Sequence, residues 1–212
     1  MHPQRIILIV AIAVGVGYGW LNGAFVFPSA AAAQGSAQTQ KGLQKATFAS
    51  GCFWCTEADF DKVSGVKVTT SGYIGGHVKN PTYEEVSAGR TGHAEAVEVL
   101  FDPAVVSYKQ LLDNYWKNVD PFTPNRQFCD VGSQYRPEIF VHDAAQRAAA
   151  EASKAEMQKR FSQPIVVKIS EASVFYPAEA YHQDYYRTHS IQYRYYRWRC
   201  GRDERLEEIW RK

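Results

Sequence analysis

A chain of 212 residues is long enough for one compact domain with a full core. Its formal charge of +2 gives no electrostatic case for a nucleic acid or for a strongly acidic partner. Aromatic residues make up 14%, and Tyr is the largest part of them with 13 copies, a side chain that offers a polar-lined pocket both apolar area and a hydroxyl.

The N-terminus reads as a targeting segment. His2 and Arg5 precede an apolar run from Ile6 to Phe27, with Asn22 its single polar residue, followed by Pro28, Ser29 and Ala30-Ala31-Ala32-Ala33. A basic start, an apolar run and a small-residue site describe a secretory signal peptide, with cleavage expected near Ala33. The run of 22 residues also has the length of a bilayer span, so residues 1–33 serve either as a signal peptide or as an N-terminal membrane anchor. Either way the rest of the chain is expected outside the inner membrane, in an oxidising compartment such as the periplasm. A working thiol there needs a dedicated source of electrons. Residues 34–42 are small and polar and read as a linker, so the folded domain is expected over 43–212.

The first strand is expected at Lys45–Ala49, and Gly51 ends it. Phe53, Glu57, Phe60 and Val63 then recur at helical spacing until Gly65, which predicts a helix over 52–63. Cys52 therefore falls at a helix start, where free N–H groups and the dipole favour an anion, and a lowered thiol pKa is expected for it. Cys55, one turn on, lies on the same face and within reach of a disulfide. A Cys-x-x-Cys is also half of a zinc site, but Cys129 and Cys200 stand alone and far along the chain, without the paired spacing zinc uses. No metal is expected.

A second strand is predicted over Val66–Tyr73, then a loop with Pro81, Tyr83 and Gly92-His93, and a third strand over Ala94–Phe101. Ser107 is placed to cap a helix to Val119. A loop follows from Asp120 to Gly132, then a fourth strand at Glu138–His142. Asp143 caps a long Ala-rich helix to Phe161, and a fifth strand follows at Ile165–Ser170. The remainder, from Glu179, is expected to be a Tyr- and Arg-rich tail with a helical turn or two, packed over the sheet. The order β-α-β-β-α-β with an added α-β is that of a ferredoxin-like plait of the α/β (α+β) class: one mixed sheet, helices packed on it, and a long irregular C-terminal tail.

Four segments outside the expected core carry chemistry: the loop with Tyr83, the strand start with Glu95, the run Cys129-Asp130-Val131-Gly132-Ser133-Gln134-Tyr135-Arg136, and the run from Ala178 to Tyr186 that contains His182. Composition does not say whether they converge. GCFWCTEADF at 51–60 is similar to the signature of the A-type methionine sulfoxide reductases. SGYIGGHVKNPTYEEVSAGRTGHAEAVEV, NRQFCDVGSQYRPEIF and FYPAEAYHQDYYRTH resemble that family's other motifs, in the right order. The resemblance covers roughly residues 45 to 200 and implies a peptide-methionine (S)-S-oxide reductase with a plait fold. It aligns Cys52 with the nucleophile, Phe53 and Trp54 with the apolar wall for the substrate's methyl group, and Tyr83, Glu95 and Tyr135 with the groups on the sulfoxide oxygen. Asp130 aligns with an acid near that site, and His182 falls in the matching Tyr-His-Gln segment.

Many members carry Gly where Cys55 stands and resolve with cysteines in a Gly-rich tail, which this chain lacks. It resembles the branch that resolves inside the signature, so Cys55 is expected to resolve, with Cys129 and Cys200 as additional redox candidates. The implied cycle passes through a sulfenic acid at Cys52 and a disulfide that a thioredoxin-like dithiol reduces. It needs no metal or organic cofactor. The expected partners are oxidised peptides or proteins and that reductant, with membrane contact only through the N-terminus and a monomeric chain. Two rivals stand beside it: an exported thiol–disulfide oxidoreductase, and a secreted binding domain with all four cysteines paired.

Overall fold

The computed structural model describes residues 42–210. The expected leader, the linker up to residue 41, and residues 211–212 lie outside the described residues. None of the helices among the described residues is long and apolar enough to cross a membrane.

Strand β1 (Gln44–Ser50) is followed by helix α1 (Phe53–Phe60), β2 (Val66–Ile74), the short helix α2 (Tyr83–Ser87) and β3 (Ala94–Phe101). Helix α3 (Tyr108–Lys117) leads to a small hairpin, β4 (Arg126–Gln127) with β5 (Asp130–Val131), then to β6 (Pro137–Val141), α4 (Ala144–Gln158), β7 (Lys168–Glu171) and β8 (Tyr176–Pro177). The six long-sheet strands run in the order β7-β6-β1-β3-β2-β8. Only the β6–β7 pair is parallel, so the sheet is mixed, and the central order β6-β1-β3-β2 is the plait expected.

Local signals explain the edges of these elements. Ser107 and Gln110 form a reciprocal capping box at α3, Thr82 and Glu85 form another at α2, and Asp143 accepts the backbone N–H of Gln146 at α4. β1 reads apolar on both faces because it is central: Ala46, Phe48 and Ala49 are fully buried. The main core joins Phe48, Val97, Val99 and Ile139 of the sheet to Phe53, Phe60, Leu111, Leu112, Tyr115 and Trp116 of the helices. Burial of each such side chain contributes about 1.5–3 kcal/mol. Ala49, Ile74, Ala94, Ala96 and Phe140 form a smaller cluster, packed by Ala172 and Phe175.

Several expectations need correction. Tyr83 is not in a loop but opens α2, held there by the Thr82 cap. The loop after Asp120 contains the β4–β5 hairpin. The fifth strand starts at Lys168, because Ile165 and Val167 are buried ahead of the paired segment that follows. The tail is not irregular. It forms α5 (Tyr185–Thr188), α6 (Ser190–Arg199) and α7 (Arg202–Trp210). It also packs on α1 rather than over the sheet: Tyr193 of α6 lies against Cys55 and Ala58. Its apolar residues are mostly Tyr and Trp interleaved with Arg, which hides the helical period from a pattern search.

Candidate active site

Gly51 turns β1 into α1 with φ +90°, and a Cβ there would stand 2.5 Å from Gln127 Cβ. Only glycine meets both conditions without strain. Cys52 is the N-cap residue, and its carbonyl accepts the N–H groups of Cys55 at 3.1 Å and Thr56 at 3.2 Å. Thr56 and Ser50 share a 2.8 Å hydroxyl contact that ties the helix to the strand end. The nucleophile candidate is thus fixed by the backbone on both sides, with 6% of its surface exposed.

The expected lowering of the Cys52 pKa is not what the site does. Burial pushes the Cys52 thiol up, and its hydrogen bond to Cys55 and the nearby Cys55, Glu95 and Asp130 charges push the same way. The helix start is mostly shielded from water, so the cost of a bare thiolate outweighs the dipole. Cys55 moves down instead, through the hydrogen bond it accepts from Cys52; burial opposes this, and Arg202 and Arg197 assist it. Both thiols are free and buried.

A cleft of about 70 Å³ opens at Cys52, lined by Phe53, Trp54, Tyr83, Glu95, Asp130, Tyr135 and Tyr196. That is room for a small group of a few heavy atoms rather than for a large ligand. Glu95 lies on β3 opposite Tyr73 of β2 and is 2% exposed. Its Oε2 accepts the backbone N–H of Phe53 at 3.0 Å. Burial raises its pKa to about 8; the Phe53 hydrogen bond opposes this, and Asp130 and Cys55 add to it. Burial also raises Tyr83, to about 12, and Tyr135 further, with Glu95 next in both cases. Both phenols therefore stay protonated as donors.

Trp54 stacks on Tyr185 with ring centroids 3.8 Å apart and donates its indole N–H to His182 Nδ1 at 3.0 Å. His182 does not line the cleft. It lies behind the wall, buried between Phe53 and Tyr83, with ring centroids 4.9 and 4.5 Å away. Burial lowers its pKa. Accepting at Nδ1 fixes the neutral tautomer with hydrogen on Nε2.

Sequence reasoning missed two residues here. Glu179 accepts from the Tyr83 backbone N–H and the Tyr73 hydroxyl, each at 2.8 Å, and so holds the start of α2 against β2. Tyr196, in the tail, donates its hydroxyl to Asp130 Oδ2 and forms part of the cleft. The only signal for Tyr196 was its place one helical turn before Cys200. Cys129 and Cys200 are bonded to each other, 71 residues apart. Here one pair is bridged while Cys52 and Cys55 are free thiols. Among the described residues, Cys129, Asp130 and Cys200 group ligand-type atoms within 4.8 Å, but both sulfurs are used in the bridge.

Residues 44–212 match the family model for peptide methionine sulfoxide reductase. The chain is 48% identical over 175 residues to the peptide methionine sulfoxide reductase MsrA of Listeria innocua, covering 82% of this chain and 99% of that protein. It is 47% identical over 173 residues to MsrA/MsrB of Vibrio cholerae, covering 81% of this chain but only 46% of that longer protein. The methionine sulfoxide reductase A structure of Corynebacterium diphtheriae superposes with a TM-score of 0.65 at 31% identity, over 72% of this chain and 77% of that one. Reduced Mxr1 of Saccharomyces cerevisiae superposes with a TM-score of 0.67 at 31% identity, over 70% and 86%. With its two thiols, buried acid and tyrosine-lined cleft in that frame, the chain belongs to the peptide methionine sulfoxide reductases, among the A-type members, oxidoreductases that return methionine sulfoxide to methionine.

Proposed function

We propose that the cleft takes the S epimer of methionine sulfoxide, in peptides or free, with Cys52 as nucleophile, Glu95 as acid and Cys55 as the resolving thiol. The observation that carries this reading is Glu95: one carboxyl oxygen is held by Phe53 N–H, and the raised pKa keeps a proton on the group at neutral pH. A sulfoxide is a poor electrophile until its oxygen is protonated, and a buried neutral carboxylic acid supplies that proton. Tyr83 and Tyr135 face the same space and add hydrogen bonds, each worth about 2–4 kcal/mol by analogy with oxyanion-hole donors. Phe53 and Trp54 form the apolar side for the methyl group.

The thiol pair accounts for the protons. The pair enters the reaction with one proton, Cys55 being the thiolate that accepts the hydrogen bond from Cys52; as the Cys52 sulfur attacks the sulfoxide sulfur, its hydrogen passes along that bond to Cys55. Glu95 protonates the oxygen, the S–O bond transfers to Cys52, and methionine leaves. Cys55 then attacks the sulfenic acid, its hydrogen leaves with the hydroxyl as water, and a Cys52–Cys55 disulfide remains. A protein dithiol of the thioredoxin kind reduces it. The sequence of residues 1–33 supports work outside the inner membrane, where oxidised proteins are the substrates. Membrane contact is confined to that segment, and the chain acts as a monomer.

The test is a steady-state assay on each sulfoxide epimer of a blocked methionine with a dithiol reductant. Turnover of the S epimer alone is expected. Turnover of the R epimer alone, or of insulin disulfides in place of either, would sink the reading.

A further inference from the structure

The Cys129–Cys200 bridge stands apart from the Cys52–Cys55 pair, yet it ties together two walls of the cleft. Cys129 directly precedes Asp130, and its sulfur lies 3.6 Å from Asp130 Oδ1. Cys200 closes α6 one turn after Tyr196, whose carbonyl accepts the Cys200 N–H at 2.9 Å. The two Cα atoms are 4.8 Å apart. The hydroxyl of Tyr196 meets the carboxyl of Asp130 across the same gap. Two short segments from distant parts of the chain are thus joined twice, by a covalent bond and by a hydrogen bond between two residues that line the cleft.

Few other contacts hold these segments in register: the Arg202 guanidinium lies over Phe128, 4.4 Å from the ring centroid, and the Tyr196 ring meets Trp54 edge-on. Asp130 sits on a two-residue strand whose sole strand partner among the described residues is β4. α6 is anchored on one side, by Tyr193 against α1 and by Arg197 on Asp59. Its other side leaves Ile191, Tyr195 and Trp198 exposed. The bridge is also reachable: Cys129 is exposed, and Cys200 lines a second cleft with Asp120, Thr123, Arg126, Phe128 and Arg205.

We propose that Cys129 and Cys200 are a positioning pair for the substrate cleft: closed, their bridge holds Tyr196 on Asp130; opened by a dithiol, it lets that wall separate and weakens sulfoxide binding. The proposal rests on the reading that the cleft takes methionine sulfoxide. Opening is a two-electron reduction. One dithiol thiolate attacks a bridge sulfur, a mixed disulfide forms, the second dithiol sulfur displaces it, and the dithiol's two hydrogens end on Cys129 and Cys200 as thiols while the dithiol departs as a cyclic disulfide. The recycling reductant then meets two bridges, and cycling at full affinity requires that it spare this one.

The test uses the full chain and the Cys129→Ser/Cys200→Ser variant, with single-turnover methionine formation followed against sulfoxide concentration. Half-saturation is expected to rise roughly tenfold, with the limiting rate much less changed, as for a lost ground-state contact. Tyr196→Phe is expected to raise half-saturation in the bridged enzyme but to add little once the bridge is gone, a non-additivity that general destabilisation does not produce. Wild-type protein with the bridge opened by a dithiol, confirmed by a thiol count of four, is expected to match the variant and supplies the comparison where the variant fails to fold. Unchanged half-saturation, or fully additive effects of Tyr196→Phe, overturns the proposal. So does a variant with normal affinity that stalls after one turnover, since the pair would then be the resolving couple. A wild type that reduces neither epimer overturns the underlying reading of the cleft instead.

Discussion

Glu95 Oε2 accepts the backbone N–H of Phe53, 3.0 Å away, and Phe53 is the residue that follows the nucleophile. The acid on β3 and the thiol at the start of α1 are therefore positioned by one hydrogen bond, across 42 residues of sequence. Its strand partner Tyr73 is pinned by Glu179, so the acid sits on a rigid sheet rather than on a loop. Such fixed placement is what a proton donor needs when charge develops on a neighbouring oxygen.

Cys52→Ser is expected to abolish methionine formation even in a single turnover. A hydroxyl in this buried position cannot ionise or attack sulfur as a thiolate does. Methionine formed by the variant at a rate near wild type, read by chromatography of quenched samples, would assign the nucleophile to another thiol.

Glu95→Gln is expected to slow the reductive step roughly 10²–10⁴-fold near neutral pH, the usual range for a general acid. In the wild type the single-turnover rate should fall as pH rises past about 8, where Glu95 loses its proton, and the variant should lose that limb. A rapid-quench pH profile with the same alkaline limb in both proteins would remove Glu95 from the mechanism.

The same carboxyl makes a stability prediction. Its folded pKa of about 8 lies above the ordinary 4.5 of a glutamate side chain, so the folded state holds the proton more tightly. This contribution is whole below pH 4.5 and is lost between there and pH 8, with a slope of about 1.4 kcal/mol per pH unit. Glu95→Gln cannot ionise and is expected to gain on the wild type as pH rises from 5 to 8. Melting temperatures of the two proteins at both pH values check this; a constant difference would contradict it.

Tyr83→Phe and Tyr135→Phe are each expected to cost less than the pair together, because one phenol partly serves when the other is absent. Additive losses in kcat/KM would mean that the two hydroxyls act on different atoms.

Cys55→Ser is expected to release about one methionine per enzyme and then stall with a thioredoxin-like reductant, leaving a sulfenic acid at Cys52. Small thiols should partly restore turnover. Mass spectrometry of wild type after one turnover should find a Cys52–Cys55 bridge. A Cys52–Cys129 or Cys52–Cys200 species appearing first would refute the assignment.

Most of the fold was legible in the chain, and for identifiable reasons. Ser107 and Asp143 announce their helices by capping chemistry, and the Val97–Val99 alternation after Gly92 marks β3. The position of Cys52 follows from the strand, glycine and helical spacing around it. Its charge state does not follow, because desolvation depends on what covers the helix start, and the cover comes from residues 185–202. The tail was the least legible part. Tyr193, Tyr196 and Arg202 gain meaning only from partners more than 60 residues away: Cys55, Asp130 and Ser50. Local pattern carries no signal for such contacts. His182 was visible as a motif residue, but its place behind the wall required the indole of Trp54.

Arg202 is buried at the start of α7. It donates to the carbonyls of Ser50 at 3.2 Å and Asn118 at 2.6 Å, and its guanidinium lies over Phe128, 4.4 Å from the ring centroid. One side chain at the start of α7 thus closes the end of β1 at Ser50, 152 residues before it and just ahead of Cys52. During synthesis Cys52 and Cys55 exist long before their cover does, and Cys129 emerges well before its partner Cys200. Closing so long a loop is entropically slow. An oxidant acting on the nascent chain therefore meets Cys129 while its partner is still missing and Cys52 and Cys55 are uncovered, and correct pairing depends on delaying oxidation until Cys200 has reached Cys129.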